Sequence, residues 1–109
     1  EYPFLLLEKG GKSEISEVFE ACGVTPKIRL TTWDDYAVMS MVESGLGIGI
    51  LPELILRRSP YRIVVKELDV PAHRSIGLAV RDSKTAPLAV KRFLDYLPYR
   101  NGAWKAGPQ

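Results

Sequence analysis

The sequence holds one cysteine, Cys22, and one histidine, His73, among its 109 residues. A single thiol excludes an intramolecular disulfide, and one cysteine with one histidine cannot furnish the donors of a structural zinc site. Long apolar stretches are missing too. No run exceeds Phe4–Leu7, far short of the roughly 20 residues a membrane-spanning helix needs, and no basic segment followed by an apolar one opens the chain. We therefore expect a cytoplasmic protein with no membrane partner. An excess of one charge is also lacking: 15 Lys and Arg against 13 Asp and Glu leave a net charge of +2. That balance is too slight and too interspersed to hold nucleic acid on electrostatics alone. With 46% hydrophobic and 26% charged residues, the chain has the composition of an ordinary globular domain rather than a disordered one.

The scarcity of reactive groups extends to catalysis. His73 would have to serve as the base of any Ser or Cys triad, yet it lies in Val70-Pro71-Ala72-His73-Arg74, a turn-like segment that positions nothing. Cys22 falls on a helical apolar stripe and reads as a small core residue rather than a nucleophile. No catalytic residue, metal ligand or cofactor is expected, and the chain is not expected to be an enzyme.

What is present is a regular alternation of strand and helix signals. Phe4-Leu5-Leu6-Leu7 reads as a strand buried on both faces. Ser13 is a helix N-cap, followed by Ile15, Val18, Phe19 and Cys22 on one stripe, with Gly23 and Pro26 ending the helix. Lys27 to Thr31 alternates like a half-exposed strand. Thr32 and Asp35 have the spacing of a capping box, opening a helix with Val38, Met41 and Val42 inward and Gly45 as its cap. Ile48 to Leu51 is a short apolar strand, and Pro52 opens a brief helix through about Leu56. Arg62–Lys66 and Ser75–Val80 read as two further strands. Pro87 begins a last helix carrying Val90, Phe93, Leu94 and Leu97. The order β-α-β-α-β-α-β-β-α implies an α/β fold with a largely parallel central sheet and helices on both faces. Residues 1–98 are expected to form the domain and 99–109 a C-terminal tail.

Two segments carry motif character. Leu6 to Ser13 ends in Gly11-Lys12-Ser13, as a phosphate-binding loop does, but Leu6 stands where that loop requires a glycine. A glycine-permitted strand-to-helix turn is the simpler reading, and it still leaves free N–H groups able to meet a small anion. Val42-Glu43-Ser44-Gly45-Leu46-Gly47-Ile48-Gly49-Ile50-Leu51-Pro52 compresses a helix end, a two-glycine turn and an apolar strand into one segment.

That second segment resembles the effector-binding domain of the LysR-type transcriptional regulators, whose counterpart runs from a Val through a Gly-Leu-Gly turn to an aliphatic strand ending in Pro. Pro3-Phe4-Leu5, the helix exit from Phe19 to Pro26, the strand Arg74 to Ala79 and the helix Ala89 to Leu97 follow the family in order and spacing. The resemblance covers residues 2–98. It implies the second subdomain of a periplasmic-binding-protein-like domain, with the returning strand and last helix. The family's winged helix-turn-helix and first effector subdomain have no counterpart in this sequence. By the same resemblance, a small-molecule effector, with an anion among the candidates, binds in a cleft between two subdomains. DNA is contacted only through the absent N-terminal domain, and the protein is a homo-oligomer. A solute-binding protein or a nucleotide-using enzyme on a similar sheet is the alternative.

Ligands of open α/β sheets gather beyond the carboxyl ends of the strands. Two loops meet that description: Lys9, Gly10, Gly11 and Ser13 after the first strand, and Thr31, Thr32 and Trp33 after the second. The resemblance implies effector contacts from the second loop, Thr31 and Thr32 foremost.

Overall fold

Four consecutive apolar residues bury completely: Phe4, Leu5, Leu6 and Leu7 form strand β1 (Phe4–Leu7) at the centre of the core. The computed structural model describes residues 2–11 and 13–101, with side chains through residue 97. The remaining elements are helix α1 (Glu14–Cys22), strand β2 (Ile28–Thr32) and helices α2 (Asp35–Glu43), α3 (Glu53–Leu56) and α4 (Leu88–Asn101). The chain divides into two compact units, residues 1–74 and 75–109. That boundary falls inside the span 1–98 read as one domain from the sequence.

In the first unit, β1 pairs in parallel with β2, Leu5 opposite Leu30 and Leu7 opposite Thr32. Arg29 is an extra residue between the Phe4↔Ile28 and Leu5↔Leu30 pairs, and its guanidinium donates to the Leu46 carbonyl at 3.1 Å. On its other edge β1 meets Ile48: Leu5 N–H donates to the Ile48 carbonyl at 2.8 Å, and Ile48 N–H to the Pro3 carbonyl at 2.9 Å. The order is therefore Ile48, β1, β2, all parallel. Helix α1 meets β1 through an edge-on Phe4–Phe19 ring pair at 4.9 Å. Helix α2 packs on β1 and β2, burying Val38 and Met39. The result is a small parallel sheet with helices, an α/β arrangement.

Both long helices of this unit end alike. Gly23 and Gly45 have φ of 64° and 75°, and each starts a pair of closing bonds. Gly23 N–H donates to the Glu20 carbonyl and Val24 N–H to that of Phe19, as Gly45 N–H does to Val42 and Leu46 N–H to Met41. This double bond satisfies carbonyls that a helix end otherwise leaves bare. Gly47 and Gly49 have a different task. A Cβ on Gly47 would collide with the Pro3 carbonyl oxygen, and one on Gly49 would come within 2.7 Å of Val38 Cγ1, so the chain reaches β1 only because both side chains are absent.

Several expected features are corrected. Cys22 is exposed, not core. Phe19 already meets Phe4, the first residue of β1, so the next turn of α1 overhangs the strand's beginning. Both apolar residues of β2 are open, Ile28 at 49% and Leu30 at 43%. Ile48–Leu51 makes one bridge rather than a strand, and Arg62–Lys66 and Ser75–Val80 form no strand. Val64 is 84% and Ile76 75% exposed. A strand exists only as a hydrogen-bonded partner, and β-propensity cannot supply the ladder by itself. Met39, fully buried beside Val38, was not among the expected core residues.

In the second unit, α4 runs past Pro98 to Asn101, although proline lacks the N–H of that turn. Its stripe is half-buried at Val90, Leu94 and Leu97 and exposed at Phe93. Of the expected tail, residues 102–109 lie outside the described residues, as does Lys12 of the glycine loop. Among the described residues no helix is long and apolar enough to cross a membrane.

Gly47→Ala should lower the unfolding free energy by about 1–3 kcal/mol, the usual cost of overpacking against a neighbour that cannot yield. Val64→Ala, at an exposed position, should stay within about 0.5 kcal/mol. Urea unfolding of the two variants checks both values.

Candidate functional site

Parallel pairing decides where the two loops go. Because Leu7 stands opposite Thr32 and Glu8 N–H donates to the Thr32 carbonyl at 2.9 Å, β1 and β2 end level with each other. The loop after β1, with Lys9, Gly10, Gly11 and Ser13, and the segment Thr31-Thr32-Trp33 thus share one edge of the sheet. An ion pair runs from the first loop to the start of α2, Lys9 Nζ to Asp35 Oδ2 at 3.5 Å. At that length, with Lys9 mostly exposed, it contributes little to stability.

Each loop feeds a helix that caps itself. Ser13 is the N-cap of α1, its hydroxyl accepting from Ser16 N–H at 3.0 Å. The N-cap of α2 is Asp34, whose carboxylate accepts from Tyr36 N–H at 2.9 Å. The Thr32–Asp35 capping box expected from the sequence is therefore corrected. Thr32 belongs to the β1–β2 ladder, so its backbone is a strand's and the helix starts later. Its hydroxyl instead accepts from Asp34 N–H at 3.3 Å, leaving its own proton free to be donated. Being neighbours in a strand, Thr31 and Thr32 direct their side chains to opposite faces. Thr31 is exposed, Thr32 half-buried and Trp33 75% exposed.

The electrostatics of this edge differ from those of an open anion site. Glu14 and Glu17 occupy the first turn of α1, and Asp35 that of α2 beside the Asp34 cap. Carboxylates there already use the positive helix ends and some of the N–H groups that an anion would seek.

The strand order adds a third loop that sequence reasoning missed. With β2 and the Ile48 segment on opposite sides of β1, the chain reverses direction across the sheet at β1, and ligand crevices of open α/β sheets form at such reversals. The loop leaving the Ile48 segment, Leu51-Pro52-Glu53, belongs with the loop after β1 on this criterion. The apolar run Ile48 to Leu51 was a visible signal, but its place beside β1 rests on long-range pairing.

Among the described residues, no group of three or more His, Cys, Asp and Glu is arranged to hold a metal ion. The second unit has an open depression lined by Val80, Arg81, Asp82, Thr85, Pro87 and Val90 among others. There the Asp82 carboxylate accepts from Lys84 N–H and the Thr85 hydroxyl, both at 2.9 Å. These bonds, the backbone one first, hold its pKa below the ordinary 3.8.

The class of the chain follows from its similarity to known proteins. The family model of the LysR substrate binding domain matches residues 1–100. The chain belongs to the LysR substrate-binding domain family, the ligand-sensing type of domain in transcriptional regulators. It is 32% identical over 95 residues to the uncharacterized HTH-type transcriptional regulator YvbU of Bacillus subtilis strain 168, covering 85% of this chain and 32% of that protein. It is 35% identical over 71 residues to the probable HTH-type transcriptional regulator LrrA of Synechococcus elongatus, covering 65% of this chain and 24% of that one. The chain thus spans about a third or less of the length of these curated relatives. No solved structure matches it.

Two measurements follow from this geometry. Asp34→Ala should cost about 1 kcal/mol of stability as the loss of a true N-cap, and Thr32→Val about half that or less; equal losses in urea unfolding would return the cap to Thr32. A carboxylate with a lowered folded pKa stabilises its turn above the unfolded pKa, and that contribution is lost as pH falls through the folded one. The Lys84 amide resonance should therefore move with the Asp82 carboxylate, with a midpoint below the ordinary 3.8. Asp82→Asn should abolish the movement.

Proposed function

We propose that this chain is the effector-sensing portion of a LysR-type DNA-binding transcriptional regulator, built as the second subdomain of a periplasmic-binding-protein-like domain with a largely parallel sheet covered on both faces. The observation that carries the reading is the shared edge. Two loops, each leaving a parallel strand for a helix N-terminus, come level where α/β sheets take ligands, in a chain of the LysR substrate-binding family.

The effector is a small molecule held in an inter-subdomain cleft. Thr31 and Thr32 offer hydroxyls, Trp33 an exposed aromatic face, and Lys9, Gly10, Gly11 and Ser13 the adjoining loop of the same wall. Thr32 is best suited to donate, since its oxygen is already engaged by Asp34 N–H. DNA is read by a separate N-terminal domain, and the regulator acts in the cytoplasm as a homo-oligomer. The apolar surface of residues 76–80 and of the Phe93 helix, where Ile76 is 75% and Phe93 52% exposed, favours self-association. The chain does no chemistry on its ligand. The spacing of its titratable groups offers no acid–base pair, and a magnesium-dependent nucleotide hydrolysis sensitive to Lys12→Ala would contradict this reading.

The reading is tested by calorimetric titration of the regulator with a library of small metabolites. A ligand that binds the parent should lose about tenfold or more in affinity in Thr32→Val, since a lost hydrogen bond to a polar ligand is worth about 1.4 kcal/mol. Trp33→Ala should weaken it as well. Ligands whose affinity ignores Thr31, Thr32 and Trp33 would move the site elsewhere.

A further inference from the structure

The loop after β1 is flanked by two ion pairs. On one side Lys9 reaches Asp35 at 3.5 Å; on the other, Glu14 Oε2 accepts from Arg74 Nε at 2.6 Å. Arg74 is the last residue of the first unit. Glu14 is the first residue of α1, next to the Ser13 cap and separated from Gly11 by two residues. Between the pairs lie Gly10 and Gly11, with φ of 71° and 122°. Only glycine accepts the second value at ease. These are backbone conformations that glycine supplies, and the contact that anchors the chain's exit from the unit begins three residues beyond Gly11, at Glu14.

We propose that the Glu14–Arg74 pair is a clasp through which the glycine turn and the chain's exit at residue 74 are coupled. Its role in regulation rests on the proposed function, in which the effector touches Gly10, Gly11 and Ser13. An effector seated there shifts the first turn of α1, and with it the carboxylate that holds Arg74. Coupling between two sites is reciprocal, so the state of the exit also sets the state of the turn. The pair suits a switch better than a lock. Its side chains are 43% and 62% exposed, so it opens at small cost and responds to salt. The guanidinium uses Nε alone on Glu14.

Trypsin reports on the clasp directly, because it must take the Arg74 side chain into its own pocket to cut before Ser75. In the full chain, Glu14→Gln should speed cleavage after Arg74 by about two- to fivefold, the range expected for an exposed pair. Cleavage after Arg81, the internal reference, should not change. In 1 M NaCl the difference between the parent and Glu14→Gln should vanish. Gly11→Ala, which disturbs the turn without touching the pair, should also speed cleavage after Arg74. Arg74→Gln should shift the Gly10 and Gly11 amide resonances in the same direction as Glu14→Gln. Unchanged cleavage in Glu14→Gln, or glycine resonances indifferent to Arg74→Gln, would overturn the proposal. None of these measurements uses a ligand, so an effector site located elsewhere would defeat the functional reading and leave the clasp intact.

Discussion

Everything in the first unit is arranged around a strand with no free side. Leu5 has no exposed surface, and β1 has β2 on one edge and Ile48 on the other. A strand so enclosed must be apolar at every position, because neither face meets water. The same enclosure constrains its neighbours. Ile48 can exchange hydrogen bonds with Pro3 and Leu5 only if Gly47 and Gly49 bring no Cβ into the gap. The Gly-Leu-Gly turn, its most recognisable sequence feature, is thus a packing requirement of β1 before it is anything else.

From that constraint the position of the candidate site follows. A parallel neighbour runs in the same direction as β1, and with Leu7 paired to Thr32 the loops after β1 and β2 emerge side by side, while the Leu51-Pro52-Glu53 loop follows from the third position. The carboxylates at the helix starts then decide what the edge can offer. Asp34 already binds Tyr36 N–H, and Glu14 is engaged by Arg74. Among the described residues, this edge offers an effector hydroxyls and the Trp33 face, with Lys9 a loosely held cation beside them.

The parts of this arrangement written locally in the chain were legible in the sequence. The continuous apolar run gave β1, Ser13 gave the start of α1, Gly23 and Gly45 gave two helix ends, and each signal acts within a few residues of itself. The misread features depend on distant partners. Thr32 and Asp34 are both good caps by identity, and the choice between them is made by β1, which takes Thr32 into its ladder. Cys22 keeps perfect helical spacing but runs off the end of a strand whose start no local pattern marks. The candidate site was legible as two separate loops; that they adjoin is a consequence of the parallel register.

The segments 62–66 and 75–80 carry this distinction to its limit. Each has β-branched residues of the kind strands favour, and each remains outside any ladder, with apolar side chains such as Val64 and Ile76 in solvent. Propensity in β-structure is mostly a measure of packing against neighbours, so composition of this kind specifies what a segment does when a partner edge is supplied. β1 meets the same condition from within the unit: its edges are filled by Ile48 and β2, brought alongside by α2 and α1. Where the connecting helix delivers a partner, composition becomes structure. The difference between Leu5 and Ile76 is thus a difference in neighbours rather than in residue type.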